Sequence, residues 1–197
     1  MDRDGGESVE QRPNSCSFDL PSVLVQLDDR TATAQREAVR TIRENVKEQP
    51  RVCLPAVPKL RALLAQPSLE CHDTVAYCLA ELAAESPVDV APSADEIVAF
   101  VDDDPPAAVT ADLLRCLESI ATARPAALVD HTEVIATTLE SDDPDVRAAA
   151  AATLGRVGLE TDATLEGTRD RLAELAADDP NREVRARARR ACELISR

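Results

Sequence analysis

From about residue 18 onward, apolar residues recur in steps of three and four, the spacing of one face of an α-helix. In the stretch from Val146 to Val157 the inward positions fall 4, 7, 8 and 11 residues after Val146, at Ala150, Thr153, Leu154 and Val157. The same template placed at Val109 selects Leu113, Cys116, Leu117 and Ile120, and at Val184 it selects Ala188, Ala191, Cys192 and Ile195. At Cys71 it selects Val75, Cys78, Leu79 and Leu82. At Gln35 it selects Val39, Ile42, Arg43 and Val46, a weaker match because a charge breaks it. The starts at 35, 71, 109, 146 and 184 lie 36, 38, 37 and 38 residues apart, so five helices follow one ruler.

A second helix precedes each of these. Leu27, Leu64, Val101, Leu139 and Leu175 end five further apolar stretches, with Val23, Leu60, Ile97 and Ile135 one turn earlier; Arg171 breaks that set and Leu172 takes its place. Acidic or Pro-containing turns follow most of them, at Asp28-Asp29, Asp102-Asp103-Asp104-Pro105, Asp142-Asp143-Pro144 and Asp178-Asp179-Pro180. Asp before Pro ahead of an apolar run predicts a helix start, with the carboxylate capping free N–H groups and Pro fitting the first turn. The unit is helix, short acidic turn, helix, used five times. The pattern predicts an all-α fold of five helical hairpins, with repeats near 18–50, 51–88, 89–126, 127–162 and 163–197. Residues 1–17 are polar and read as a disordered leader.

The segments Asp143-Pro144-Asp145-Val146-Arg147 and Asp179-Pro180-Asn181-Arg182-Glu183-Val184-Arg185, each leading into an Ala-rich helix, resemble HEAT-like repeats of the short class that includes the lyases handling bilin pigments. The resemblance spans about 18–197, strongest in the last two repeats. It implies a right-handed α–α superhelix with first helices on the convex side and second helices lining the concave side. The Val-Arg pair of these segments becomes Gln35-Arg36, Cys71-His72 and Val109-Thr110 earlier in the chain.

Composition narrows the picture. Two Phe and one Tyr with no Trp leave the core to Ala, Val, Leu and Ile, which suits close helix packing, and five Gly offer little for the turns of a β fold. Acids outnumber bases 37 to 22, a net charge of −15, and Lys47 and Lys59 are the only lysines. This balance resembles the protein style of extreme halophiles, in which salt must screen self-repulsion. The acidic field also disfavours non-specific binding to nucleic acid or anionic lipid. No run free of charged residues exceeds eight, far short of a membrane span. The N-terminus carries no apolar targeting stretch, so a cytoplasmic location is expected.

Little in the chain reads as a catalytic centre or a cofactor site. Cys71, Cys78, Cys116 and Cys192 occupy inward template positions, where a thiol behaves as a small hydrophobe, and no Cys-x-x-Cys spacing occurs. His72 fills the slot of Arg36, Arg147 and Arg185 and is expected to make the same polar contact. One HEAT-like family, the iron-dependent hydroxylases of the deoxyhypusine pathway, uses repeated His-Glu pairs as ligands; no such pair occurs here. The expectation is no enzyme, no metal and no cofactor. The last helix gathers Arg182, Arg185, Arg187, Arg189, Arg190 and Arg197, which opens a nucleic-acid reading, though no aromatic stands near to stack a base.

The offsets 2, 5, 6 and 9 place an outward face on each second helix. It is charged in repeat one (Glu37, Arg40, Thr41, Glu44) and repeat five (Ala186, Arg189, Arg190, Glu193). Between them it is mostly small or apolar, through Ala76, Tyr77, Ala80, Ala111, Leu114, Ala148 and Ala151, with Asp73, Arg115 and Glu118 among them. Such a floor suits an amphipathic helix or an extended peptide; alternatively, the alanines let neighbouring helices approach. The sequence therefore predicts an interaction scaffold for a protein or peptide partner, contacted by Tyr77, Leu114, Arg115, Arg40, Arg189 and Arg190. The rival readings are an enzyme-associated HEAT-like subunit and nucleic-acid binding through the last helix.

Overall fold

The computed structural model describes residues 18–66, 69–159 and 165–196, and the expected leader lies outside them. The five second helices are α2 (Ala32–Asn45), α5 (His72–Glu85), α8 (Ala107–Ala123), α10 (Pro144–Gly158) and α12 (Arg182–Ile195). The first helices are α1 (Leu20–Leu27), α3 (Pro50–Cys53) running on into α4 (Val57–Leu64), α6 (Pro87–Val90) into α7 (Ala94–Asp102), α9 (Thr132–Thr137), and α11 (Glu166–Asp178). Single 3-10 turns join α3 to α4 at Leu54–Ala56 and α6 to α7 at Ala91–Ser93, and a longer one, Pro125–His131, leads into α9. Pro50, Pro87 and Pro125 open these segments, where a missing N–H costs nothing, and Pro55 and Pro92 tighten the turns inside them. No strand occurs among the described residues.

The expected Asp-Pro caps form only in part. Asp143 accepts from the N–H groups of Asp145 (2.8 Å) and Val146 (3.4 Å) and caps α10. In repeat five the cap is Asn181, bonded to Glu183 and Val184, while Asp179 serves another purpose described below. In repeat three Pro106 holds the cap position, and Asp104 turns the chain at φ 54°.

Each second helix packs on its own first helix and on the second helices before and after it. Most template positions are buried as expected, among them Ile42, Leu79, Leu113, Leu117, Leu154 and Val184, while Arg43, the charge that broke the match in repeat one, is exposed. Cys53, Cys78 and Cys116 are fully buried among them, and Cys71 and Cys192 are half-buried.

The outward face differs from the expectation. Leu114 is 0% exposed, and Ala76, Ala80, Ala148 and Ala151 are buried as well. In the three middle repeats offset 5 does not point to solvent, because a second helix inside the stack has neighbours on two flanks; in the end repeats the same offset, Arg40 and Arg189, stays exposed. Thr153 of α10 donates to the Leu114 carbonyl of α8 at 3.3 Å, which puts that flank against the next repeat. A Cβ at Gly155 would stand 2.6 Å from the Ala191 Cα, so α10 and α12 approach too closely there for any side chain. The small residues are contact surfaces between helices. What remains accessible on α8 is a narrower stripe, with Arg115 and Thr122 exposed and Asp112, Glu118 and Ser119 half-buried beside them.

Candidate functional site

Three sets of side chains line the array. The first lies along the turns that join the helices of each pair. Arg147 grips Asp179 of the next repeat with both nitrogens of one edge (Nε to Oδ2 2.8 Å, Nη2 to Oδ1 3.1 Å) and donates to the Ser141 and Asp142 carbonyls. Arg36 makes the matching contact to Glu70 at 2.9 Å. Arg147 holds the Asp179 carboxyl below its ordinary range, helped by the Asn181 N–H and the Arg185 charge. His72 departs from its expected role. Its ring packs on Phe100, 5.0 Å between centroids, and its Nε2 is buried without a hydrogen-bond partner. An imidazole lacks the length to cross to the next turn, and an aromatic neighbour was at hand. At the junction of repeats three and four, Thr110 stands in the arginine slot and turns back onto the Pro105 and Pro106 carbonyls.

The second set runs over the first helices. Lys59 pairs with Asp28, Arg61 with Glu96 (3.2 Å), His131 with Asp95 (2.8 Å) and Arg171 with Glu140 (3.9 Å), each bridging adjacent repeats.

The third set covers the exposed stripe of the second helices. Arg43 stacks 4.8 Å over the Tyr77 ring, with the Lys47 ammonium 5.5 Å away on it as well. The Lys47 pKa is raised, by its Tyr77 neighbour first and then by the Glu81 charge. Glu81 in turn accepts from Arg115 at 3.3 Å, and Arg115 also holds Asp112 at 2.7 Å. This chain of contacts crosses repeats one to three. Arg187 of repeat five then reaches Glu118 of repeat three (3.0 and 3.2 Å), passing over repeat four. The alanine-rich α10 between them, packed close on α12 at Gly155, lets one side-chain pair reach across it, which puts the accessible stripes of α8 and α12 on one side of the stack.

The expected site residues fall out as follows. Tyr77 and Arg115 lie on the stripe, Tyr77 half-buried under its two cations. Leu114 does not belong to it, for the packing reason given above. Arg40 is exposed and paired with Glu37 (2.7 Å) and Glu44 (4.0 Å). Arg190 pairs with Glu193 at 3.0 Å, and Arg189 donates to the Ala176 carbonyl. Arg189 occupies the offset that in repeats three and four holds the buried Leu114 and Ala151. Sequence reasoning missed Lys47, Glu81 and Asp112, and it placed Glu118 on the outward face and Arg187 in the last helix without joining them. The one signal for them is the 34-residue step from Glu81 to Arg115, close to the repeat length.

The last arginine-rich helix is less free than its composition suggests. Arg185 donates to the Asp179 and Pro180 carbonyls, and Arg187 holds Glu183 as well as Glu118. Burial raises the thiol pKa values of Cys78 and Cys116 to about 12, so both stay protonated at neutral pH. Among the described residues no group of three His, Cys, Asp or Glu side chains is placed to hold a metal. None of the described helices is long and apolar enough to cross a membrane.

A family model for HEAT repeats matches residues 94–193, just over half of the 197-residue chain. The chain belongs to the HEAT repeat family. Solved structures similar to this HEAT repeat protein include an engineered protein from a structural genomics consortium, with a TM-score of 0.78 and 23% identity over 89% of this chain and 80% of that one. A designed armadillo repeat protein aligns with a TM-score of 0.76 at 20% identity, over 88% and 80% of the two chains. Another designed armadillo repeat protein, solved in complex with the peptide (KR)4, aligns with a TM-score of 0.70 at 18% identity, over 88% and 80%. These likenesses establish the helical solenoid. Among curated proteins none matches.

Proposed function

We propose that this HEAT repeat protein is a binding scaffold rather than an enzyme, and that it receives a segment of a partner protein along the inner, second-helix face. The observation that carries the reading is a row of side chains: Lys47 lies on the Tyr77 ring, Glu81 stands one turn along α5 from Tyr77 and pairs with Arg115, and Arg115 pairs with Asp112, so one aromatic ring and alternating charges are presented across three repeats. A Tyr held by flanking side chains offers a large contact area at low entropic cost. The solved complex of a similarly folded designed protein with a peptide supports the same use of the fold. Arg40, Arg189 and Arg190 belong to the ends of this face, and their local ion pairs and carbonyl contact would have to open or be shared on binding.

The nucleic-acid alternative loses support from the contacts of the last helix, where Arg185, Arg187, Arg189 and Arg190 all have acceptors within the chain. The test is affinity purification from cells at high salt, identification of the bound protein, and titration of that purified partner. Tyr77→Ala with Arg115→Ala should weaken it about tenfold or more, whereas Lys59→Ala with Arg61→Ala on the outer side should leave it unchanged. Equal losses from both pairs, or none from the first, would refute the assignment of the inner face.

A further inference from the structure

An open groove of about 920 Å3 lies between the turns of repeats three and four. Five carboxylates line it, those of Asp102, Asp104, Glu140, Asp142 and Asp143, and no Lys or Arg does. Its remaining wall is apolar or hydroxylic, with Val101, Pro105 and Val146 beside Thr110 and Ser141. Among the described residues, of the five acids only Glu140 has an ion pair, the long one to Arg171, and Asp143 also caps α10. Arg147 touches the turn through the Ser141 and Asp142 carbonyls, and its guanidinium is held by Asp179.

The next junction shows what this place is built to hold. Val109-Thr110 aligns with Val146-Arg147. Ser141 aligns with Asp179, because Ser141 Oγ accepts the Asp143 N–H just as Asp179 Oδ1 accepts the Asn181 N–H. Between repeats four and five the pair is Arg147 and Asp179, and the guanidinium bridges the two turns. Between repeats three and four both members are short hydroxyl residues, so the bridge is missing; the bridged junction keeps a groove of about 660 Å3 with Arg147 and Arg171 in its wall, whereas the groove of repeats three and four has carboxylates around it and no cation.

We propose that the groove takes an arginine or lysine side chain of a basic partner segment, supplying from outside the cation that the chain provides for itself one junction later. The apolar wall fits the aliphatic stem of such a side chain, and the carboxylates its charged head. The proposal rests on the scaffold reading above and adds the charge of the partner segment.

The probe is a peptide of alternating Lys and Arg, four of each, titrated by calorimetry at physiological salt. Thr110→Arg with Ser141→Asp installs the in-chain bridge and puts a cation in the groove without changing the net charge, so the long-range field of the −15 chain is held constant. That variant should bind the peptide about tenfold more weakly or worse. Should it fail to fold, Asp104→Asn with Asp142→Asn is compared with Glu48→Gln and Asp130→Asn, two exposed acids outside the groove lining. The groove pair should lose binding and the other pair should not. Absence of binding by the unaltered protein, unchanged binding by the bridged variant, or equal losses from both acid pairs would overturn the proposal. Loss of the peptide only on Tyr77→Ala with Arg115→Ala would overturn it too, while leaving the inner-face reading standing.

Discussion

Leu114 separates two pictures of the same helix. If offset 5 faced solvent, truncating it to Ala would change stability by less than about 0.5 kcal/mol. In the structure the side chain is fully buried on the flank of α8 that meets α10. Leu→Ala in such a place costs about 2–5 kcal/mol, the larger values applying where the surroundings cannot close the hole. Here the flank of α10 that meets α8 carries Thr153 and, one turn earlier, Ala149, too short to fill the space, and the α10 backbone is fixed in turn by the close contact of Gly155 with Ala191. A loss of about 3–4 kcal/mol follows. For a chain of this size each kcal/mol moves the midpoint by about 2–4 °C, so Tm should fall by about 6–16 °C in a circular-dichroism melt. Arg115→Ala, the next residue, is the internal control: its two ion pairs are surface contacts, and removing them should cost under about 1 kcal/mol. A Leu114→Ala protein melting within about 2 °C of the parent would refute the stacked-flank account.

Further expectations follow from the same contacts. Gly155→Val places atoms inside the Ala191 backbone and should lower Tm steeply, whereas Gly167→Ala, with nothing within 4 Å of the new methyl, should raise stability by about 0.5–1 kcal/mol. Asp179 has a folded pKa depressed by Arg147, so its contribution is fully present above the unfolded value near 3.9 and is lost as pH falls through the folded value. Stability measured from pH 6 down to pH 2 should therefore fall more steeply for the parent than for Asp179→Asn; parallel curves would contradict this. Cys78 and Cys116, with thiols pushed up to about 12 by burial, should resist alkylation at pH 8 in the native protein and react only on unfolding; labelling at the rate of a free thiol would place them at the surface.

The repeat was legible because burial on the first helix forces an apolar residue at offsets 4, 7, 8 and 11, and hydrophobicity is written directly in the chain. The flanks were harder to read. Ala76, Ala80, Ala148, Ala151 and Leu114 are apolar whether they floor a groove or touch a neighbouring helix, and a one-face template cannot tell these apart. Leu114 held the clue: a large aliphatic side chain beside Leu113 has more to gain from a second buried flank than from solvent. Slot equivalence also misled at His72, since a shared position does not confer the reach of an arginine. The contacts Arg115–Glu81 and Arg187–Glu118 depend on how the helices stack, which no local pattern encodes.

The central claim is that the inner face rests on second helices clamped from both flanks by their neighbours. Native-state amide hydrogen exchange resolved by residue tests it most directly, because protection reports how much must open before an amide meets water. The slowest exchange should fall in α5, α8 and α10, between Val75 and Val157, with α1, α2 and the last turn of α12 exchanging faster. Uniform protection along the chain, or slowest exchange in α1 and α2, would contradict a stack held together from its centre.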